Sequence, residues 1–298
     1  MRLAHFSDLH FPAVDGTRVA DFLNKRALGG LNLLLNRAKH YAPAIFAETI
    51  ADVNAIDPEL VLCTGDLSNL ALPSELAFAR ARFDELAAGP ARVTCIPGNH
   101  DAYVAAAAGN FERAMGPYCT SDAGWTNPEG AKWPIVRVYD DVAVVGTCSV
   151  YPTSWLTAEG ELGDVQRDQG RERLVIEEAA ALAARVLARA RVVDHDDARL
   201  PVEPPVDQDL LEAIALHVAE LIIHGHEHEH IHELLPGPGG TSAPVFGIPS
   251  GTYDREDPER RARWRLYTLA RAAGAARPTL AGWADRLHTA DGFVERAT

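Results

Sequence analysis

Two hydrophobic regimes alternate along the first hundred residues. Residues 2–7, 59–64 and 91–96 are short, nearly continuous apolar runs, the pattern of strands buried on both faces. Between them, 43–55 and 74–87 read as helices, the first with Pro43 in its opening turn and the second after a Pro73-Ser74 start signal. This β-α-β-α-β order predicts parallel strands covered by helices. Residues 19–39 are apolar and basic and read as one helix, or two broken at Gly29-Gly30.

Further along, 110–115 predicts a short helix, and 135–138 with 142–147 flank Asp140-Asp141 as a hairpin. Residues 116–133, with Trp125 and Trp133, have no clear period and read as a loop whose tryptophans either pack or stack on a base. Residues 166–189 are Ala- and Arg-rich and predict a long helix, followed by a short strand at 190–195. A Pro-rich loop at 201–207 leads to a helix ending near 219. Strands are expected at 220–224, 231–235, 244–248 and 264–270, with a Pro/Gly turn at 236–240. The expectation is an α/β chain with a mixed sheet, or two packed sheets, and helices outside. The catalytic domain would run over 1–271, with 18–41 as an insertion or lid and 272–298 as a C-terminal extension.

Length and charge narrow the chemistry. A chain of 298 residues, 47% of them hydrophobic, can bury one sizeable core. The net charge of −14 opposes sequence-independent binding of extended nucleic acid, which needs a basic stripe. It permits a small anionic substrate if bound cations dominate the local field. No run approaches the roughly 18 apolar residues of a membrane span, and residues 1–8 lack a signal-peptide core. The four cysteines have no metal-finger spacing, so reduced thiols in a cytoplasmic protein are expected.

Five polar clusters each follow an apolar strand: Asp8 with His10, Gly65-Asp66, Gly98-Asn99-His100-Asp101, His195, and His224-Gly225-His226-Glu227-His228. In open α/β sheets, ligands sit beyond such strand ends. Carboxylates and neutral imidazoles suit a hard or borderline divalent ion, and a carboxylate can bridge two. The D-x-H and H-x-H spacings put both side chains on one side of an extended segment. Glycines before Asp66, Asn99 and His226 let the backbone turn sharply. Singly, each cluster fits an ordinary turn or an adventitious His tract. Their joint occurrence points to a metal centre.

Together these motifs resemble the calcineurin-like metallophosphoesterases, over residues 1 to about 270. The resemblance implies a four-layer β-sandwich of two mixed sheets flanked by helices. It implies one metal at Asp8, His10, Asp66 and His228 and a second at Asp66, Asn99, His195 and His226, with Asp66 bridging. The segment at His195 reads Asp194-His195-Asp196, without the His-His-Pro frequent in the family. His217 is the nearest substitute; His224 would lie near the site, and His230 and His232 at the surface. The metals are two divalent ions, with manganese, iron and zinc all suited to the ligands.

The implied chemistry is attack on phosphorus by hydroxide generated from a metal-bound water. His100, beside the metals, would contact the phosphoryl group or protonate the leaving alkoxide, oriented by Asp66 or Asp101. Asn99 and His100 would also face the substrate. The segments MRLAHFSDLHF, TGDLSNLALPSE and IPGNHDAY are most similar to the small bacterial cyclic-nucleotide phosphodiesterase-like branch. The expected substrate is therefore a small phosphodiester such as a cyclic nucleotide. The alternatives are a lipid- or nucleotide-linked substrate, such as UDP-diacylglucosamine, and a non-catalytic metal-binding scaffold. Residues 22–41 carry leucines beside Lys25, Arg26 and Arg37. They form either a core helix or a lid that holds an anionic substrate and touches a lipid or membrane surface.

Overall fold

A computed structural model of the chain describes residues 1–12, 40–102, 105–125, 132–148, 219–236, 242–255, 257–275 and 277–297, with 184–189 described by backbone alone. In chain order the elements are β1 (Arg2–Phe6), α1 (Pro43–Ile56), β2 (Leu60–Cys63), α2 (Pro73–Phe83), β3 (Val93–Cys95), α3 (Asn110–Met115), β4 (Ile135–Tyr139) and β5 (Val142–Gly146). There follow β6 (Ala184–Arg189), β7 (Leu221–His224), β8 (Ile231–Pro236), β9 (Ser242–Gly247), β10 (Arg263–Ala270), β11 (Thr279–Thr289) and β12 (Gly292–Ala297). The segment 19–39 lies outside the described residues, as do 166–183 and 190–217. No described helix is long and apolar enough to cross a membrane.

The strands form two mixed sheets, ordered β12-β11-β10-β1-β2-β3 and β4-β5-β6-β7-β9-β8. In the first, β1, β2 and β3 run parallel. In the second, β5, β6, β7 and β9 run parallel. Every residue of β2 and β3 is buried, as the unbroken apolar runs required. One core cluster draws Leu3, Val61, Val93 and Trp264 from the first sheet and Val144, Ile223 and Phe246 from the second. Across that interface the Phe246 and Tyr267 rings stand 5.3 Å apart. The helix α1 buries Ile45, Phe46, Thr49, Ile50 and Val53, a stripe at helical spacing. Its Phe46 meets Phe6 of β1 edge-on at 5.2 Å.

Two expectations change, and one pair of alternatives is decided. Residues 184–189 are a strand and not the end of a helix, because Ala184–Arg189 pairs in parallel with both β5 and β7. A central place in a sheet overrides the helix propensity of Ala, Leu and Arg. The tail beyond 271 is no separate extension: β11 and β12 continue the first sheet past β10. Trp133 is buried in the core, where it donates to Glu112 at 3.3 Å, so it is not placed to stack on a base.

The β10–β11 pair also carries a buried ionic knot. Asp285 accepts from Arg265 Nε at 2.5 Å and from Arg263 Nη1 at 3.1 Å, with all three side chains at most 5% exposed. Arg265 donates further to His230 Nδ1 at 2.6 Å. His230 is therefore engaged in the knot, and His232 stacks on Phe246 at 4.5 Å. Burial alone would raise the Asp285 pKa; His230, Arg265 and Arg263 outweigh it and hold the carboxyl far below the ordinary 3.8. Its contribution to stability is complete above pH 3.8 and is lost as pH falls below it. Asp285→Ala would strand two buried guanidinium groups, at a cost of about 3–5 kcal/mol in urea unfolding at neutral pH. A cost below about 1 kcal/mol, the range of an exposed pair, would contradict this reading.

Candidate metal centre

Four strands end on the same rim. β1 leads into Ser7–His10, β2 into Thr64–Asp66, β3 into Pro97–Asp101, and β7 into Gly225–His228. At these ends the chain enters the left-handed region: φ is +57° at Asp8, +47° at His10, +55° at Asp66, +83° at His226 and +52° at His228. That conformation costs an L-residue about 1–2 kcal/mol. Asp and His are among the types that enter it most readily. Five of the eight non-glycine residues with this backbone, among those described, are candidate metal ligands. Strain of this kind collects where surrounding structure over-determines the chain.

Backbone contacts impose it. Asp8 N–H donates to Gly65 O at 3.0 Å, His10 N–H to Asp66 O at 2.9 Å, and Phe11 N–H to Leu67 O at 2.8 Å, so the first two loops zip together. From the second sheet, Ser250 Oγ donates to Asp8 O at 2.6 Å and Thr252 Oγ1 to Leu9 O at 2.7 Å. Sequence reasoning missed Ser250 and Thr252. Their only signal is a small polar Ser-Gly-Thr placed just after an apolar strand.

The ligand side chains fall into two groups. In the first, Asp8, His10 and His228 each offer an atom, all within 4.8 Å of one another. His10 Nε2 and His228 Nε2 lie 3.2 Å apart, and His228 Nε2 is 3.4 Å from Asp8 Oδ1. In the second, His226 Nδ1 is 3.0 Å from Asn99 Oδ1 and 4.0 Å from Asp66 Oδ2. The groups are tied by the His226 amide, which donates to both carboxylate oxygens of Asp8 at 3.0 Å. Burial would raise the Asp8 pKa. The opposing pull of His228, the His226 amide and the Ser7 hydroxyl wins, so the carboxyl stays ionised.

Two facing imidazole nitrogens against a buried carboxylate are the donor set of a divalent cation. The residues present therefore fit the metal that this arrangement implies. His195, Lys25, Arg26 and Arg37 lie outside the described residues, as does His217.

His100 stands beside the first group, its ring 4.9 Å from that of His10. Its Nδ1 is 2.8 Å from Asn69 O, and its amide donates to Asp66 Oδ1 at 2.8 Å. Asp66 or Asp101 was expected to orient this ring. Of the two, Asp66 bonds His100, through the amide. The Asp101 carboxylate has other partners: it accepts from the amides of Leu67, Ser68 and Gly98 and from the Ser68 hydroxyl, which fastens the second loop to the third. Asn69 holds the His100 ring in its place. Asn69 in turn sits in a loop gripped by buried Glu75, which accepts from the amides of Asn69, Leu70 and Leu72. Burial lifts the Glu75 pKa to about 7 despite those bonds. His224 is buried at the strand end, its Nδ1 3.0 Å from Gly225 O.

Residues 1–230 match the pattern of the family described as calcineurin-like phosphoesterase. The chain belongs to that family. Its members are metal-dependent hydrolases of phosphoesters, generally with two metals. Solved structures with the same fold include the purple acid phosphatase PPD1 from yellow lupin seeds (11% identity, TM-score 0.56) and a dimetal phosphatase from Danio rerio (10%, 0.54). The NAD nucleotidase NadN of Haemophilus influenzae is a third (12%, 0.52). All three alignments cover 100% of this chain; they take in 52% of the lupin enzyme, 98% of the Danio protein and 60% of NadN. No curated protein matches the sequence. This metallophosphoesterase chain thus has the β-sandwich of two mixed sheets that its motifs implied.

Gly98 gives this geometry a direct test. A Cβ there would stand 2.1 Å from Asp66 Oδ1 and 2.4 Å from Asp66 N. Gly98→Ala must therefore displace Asp66, and manganese binding measured by calorimetry should weaken about 10–100-fold, the scale of losing a ligand's support. Wild-type affinity in this variant would contradict the placement of Asp66.

Proposed function

We propose that the protein hydrolyses a small phosphodiester, such as a cyclic nucleotide, at a two-metal centre. Asp8, His10, Asp66 and His228 would hold one ion. Asp66, Asn99, His195 and His226 would hold the other, with Asp66 shared. The observation that carries this reading is the meeting of six of these seven residues on one rim, from four separate strand ends, with the His100 ring beside His10.

When bound, such ions acidify a water molecule and offset the charge that grows on the phosphoryl oxygens. The protein's own groups do the rest. Asp8 and Asp66 fix two negative charges at the rim, which draws cations there in a chain of net charge −14. His10, His226 and His228 serve as neutral donors. The Asn69 carbonyl can only accept, so His100 Nδ1 carries a proton; in the imidazolium form Nε2 carries a second one, and that is the proton passed to the leaving alkoxide. This acid suits any phosphate ester with a poor alkoxide leaving group, monoester or diester, and the choice of the diester class rests on the motifs. The similarity of the opening motifs to the cyclic-nucleotide phosphodiesterase-like branch supports the same class.

The test is a panel of cyclic nucleotides, glycerophosphodiesters, UDP-diacylglucosamine and simple monoesters with added manganese, run on wild type and His100→Ala. Wild type should prefer the diesters. His100→Ala should keep its manganese and lose about 10²–10⁴-fold in kcat where the leaving group is a poor one. Its loss on bis(p-nitrophenyl) phosphate should be smaller. Preferred turnover of monoesters would overturn the diester assignment. Metal binding with no turnover of any substrate would leave a scaffold.

A further inference from the structure

Tyr41 touches both histidines of the first ligand group. Its hydroxyl is 3.3 Å from His228 Nδ1, and its ring centroid is 4.8 Å from that of His10. It is 8% exposed and so belongs to the wall of the site. Its backbone is fixed on both sides. Ala42 N–H donates to Thr252 O at 2.9 Å, Asp254 N–H donates to His40 O at 2.8 Å, and Tyr41 bridges to Tyr253. Thr252 is the residue that also grips Leu9 O between Asp8 and His10. The strand end that shapes the first ligand loop therefore also places this tyrosine.

A neutral imidazole has one N–H and one lone pair, and a cation needs the lone pair. His228 Nε2 is the atom that faces His10 Nε2 and Asp8 Oδ1. For Nε2 to be bare, the proton must sit on Nδ1, and a proton there requires an acceptor. We propose that Tyr41 is a positioning residue for the first metal: its hydroxyl accepts from His228 Nδ1–H, fixing the tautomer and ring angle that aim Nε2 at the cation, while its ring braces His10. This rests on the two-metal reading above. Tyr41 is not among the proposed metal ligands; it acts through His228 and His10.

The test is a manganese titration by calorimetry on wild type and Tyr41→Phe, with thermal unfolding of both apo-proteins. Phenylalanine keeps the ring and removes only the hydroxyl. Wild type should bind two equivalents. In Tyr41→Phe one equivalent should weaken about 10–100-fold, the usual cost of losing a ligand's hydrogen-bond partner, while the other and the apo melting temperature stay put. Equal weakening of both equivalents would show a general structural role and overturn the inference. So would two equivalents bound with wild-type affinity, which would leave the two-metal reading intact. A wild-type protein that takes up no manganese would overturn both.

Discussion

The contact on which the site depends is the amide of His226 donating to both oxygens of Asp8 at 3.0 Å. It joins a loop at the end of the first sheet to a loop at the end of the second, 218 positions away in sequence. Each ligand group draws on both sheets, Asp8 and His10 meeting His228 and Asn99 meeting His226, and this bond holds the two rims together. The bond leaves no room for a side chain at the preceding residue: a Cβ on Gly225 would stand 1.9 Å from Ser7 Oγ and 2.4 Å from Asp8 Oδ2. The shared core beneath, with Phe246 against Tyr267, sets how closely the two rims approach.

Several unfavourable features gather at this rim: left-handed backbone at five ligands, a buried carboxylate at Asp8, and another at Asp66. Each is a cost that folding must offset elsewhere. Part of the offset is visible. Loops 8–11 and 65–67 zip together, Asp101 spans the second and third loops, and Ser250 and Thr252 brace the first from the opposite sheet. Behind the rim, the Arg265–Asp285 knot reaches His230, two residues beyond His228. A divalent cation would relieve the remaining charge at the rim, which is why a site this costly makes sense as a metal centre.

Much of this was legible in the sequence because the motifs are local. Asp8-x-His10, Gly65-Asp66, Asn99-His100 and His226-x-His228 each declare a strand end with ligand-type side chains, and the apolar runs before them declare the strands. The supporting residues were not legible. Asp101 sits inside a motif, yet its bonds go to amides of the neighbouring loop, which no spacing reveals. Asn69 presents a backbone carbonyl to His100, and any residue type has one. Tyr41 comes to the site by pairing with Tyr253, a long-range bridge between two segments without strand patterning. The strand at 184–189 looked helical because Ala, Leu and Arg favour helices; its place between β5 and β7 decided otherwise.

The central claim is that separated strand ends build one two-cation site. Anomalous diffraction at the manganese edge, from crystals soaked in manganese, tests it most directly. The account predicts two peaks about 3.5–4 Å apart, one against Asp8, His10 and His228, the other against Asn99 and His226, with Asp66 between them. A single peak, or manganese bound away from these side chains, would contradict it.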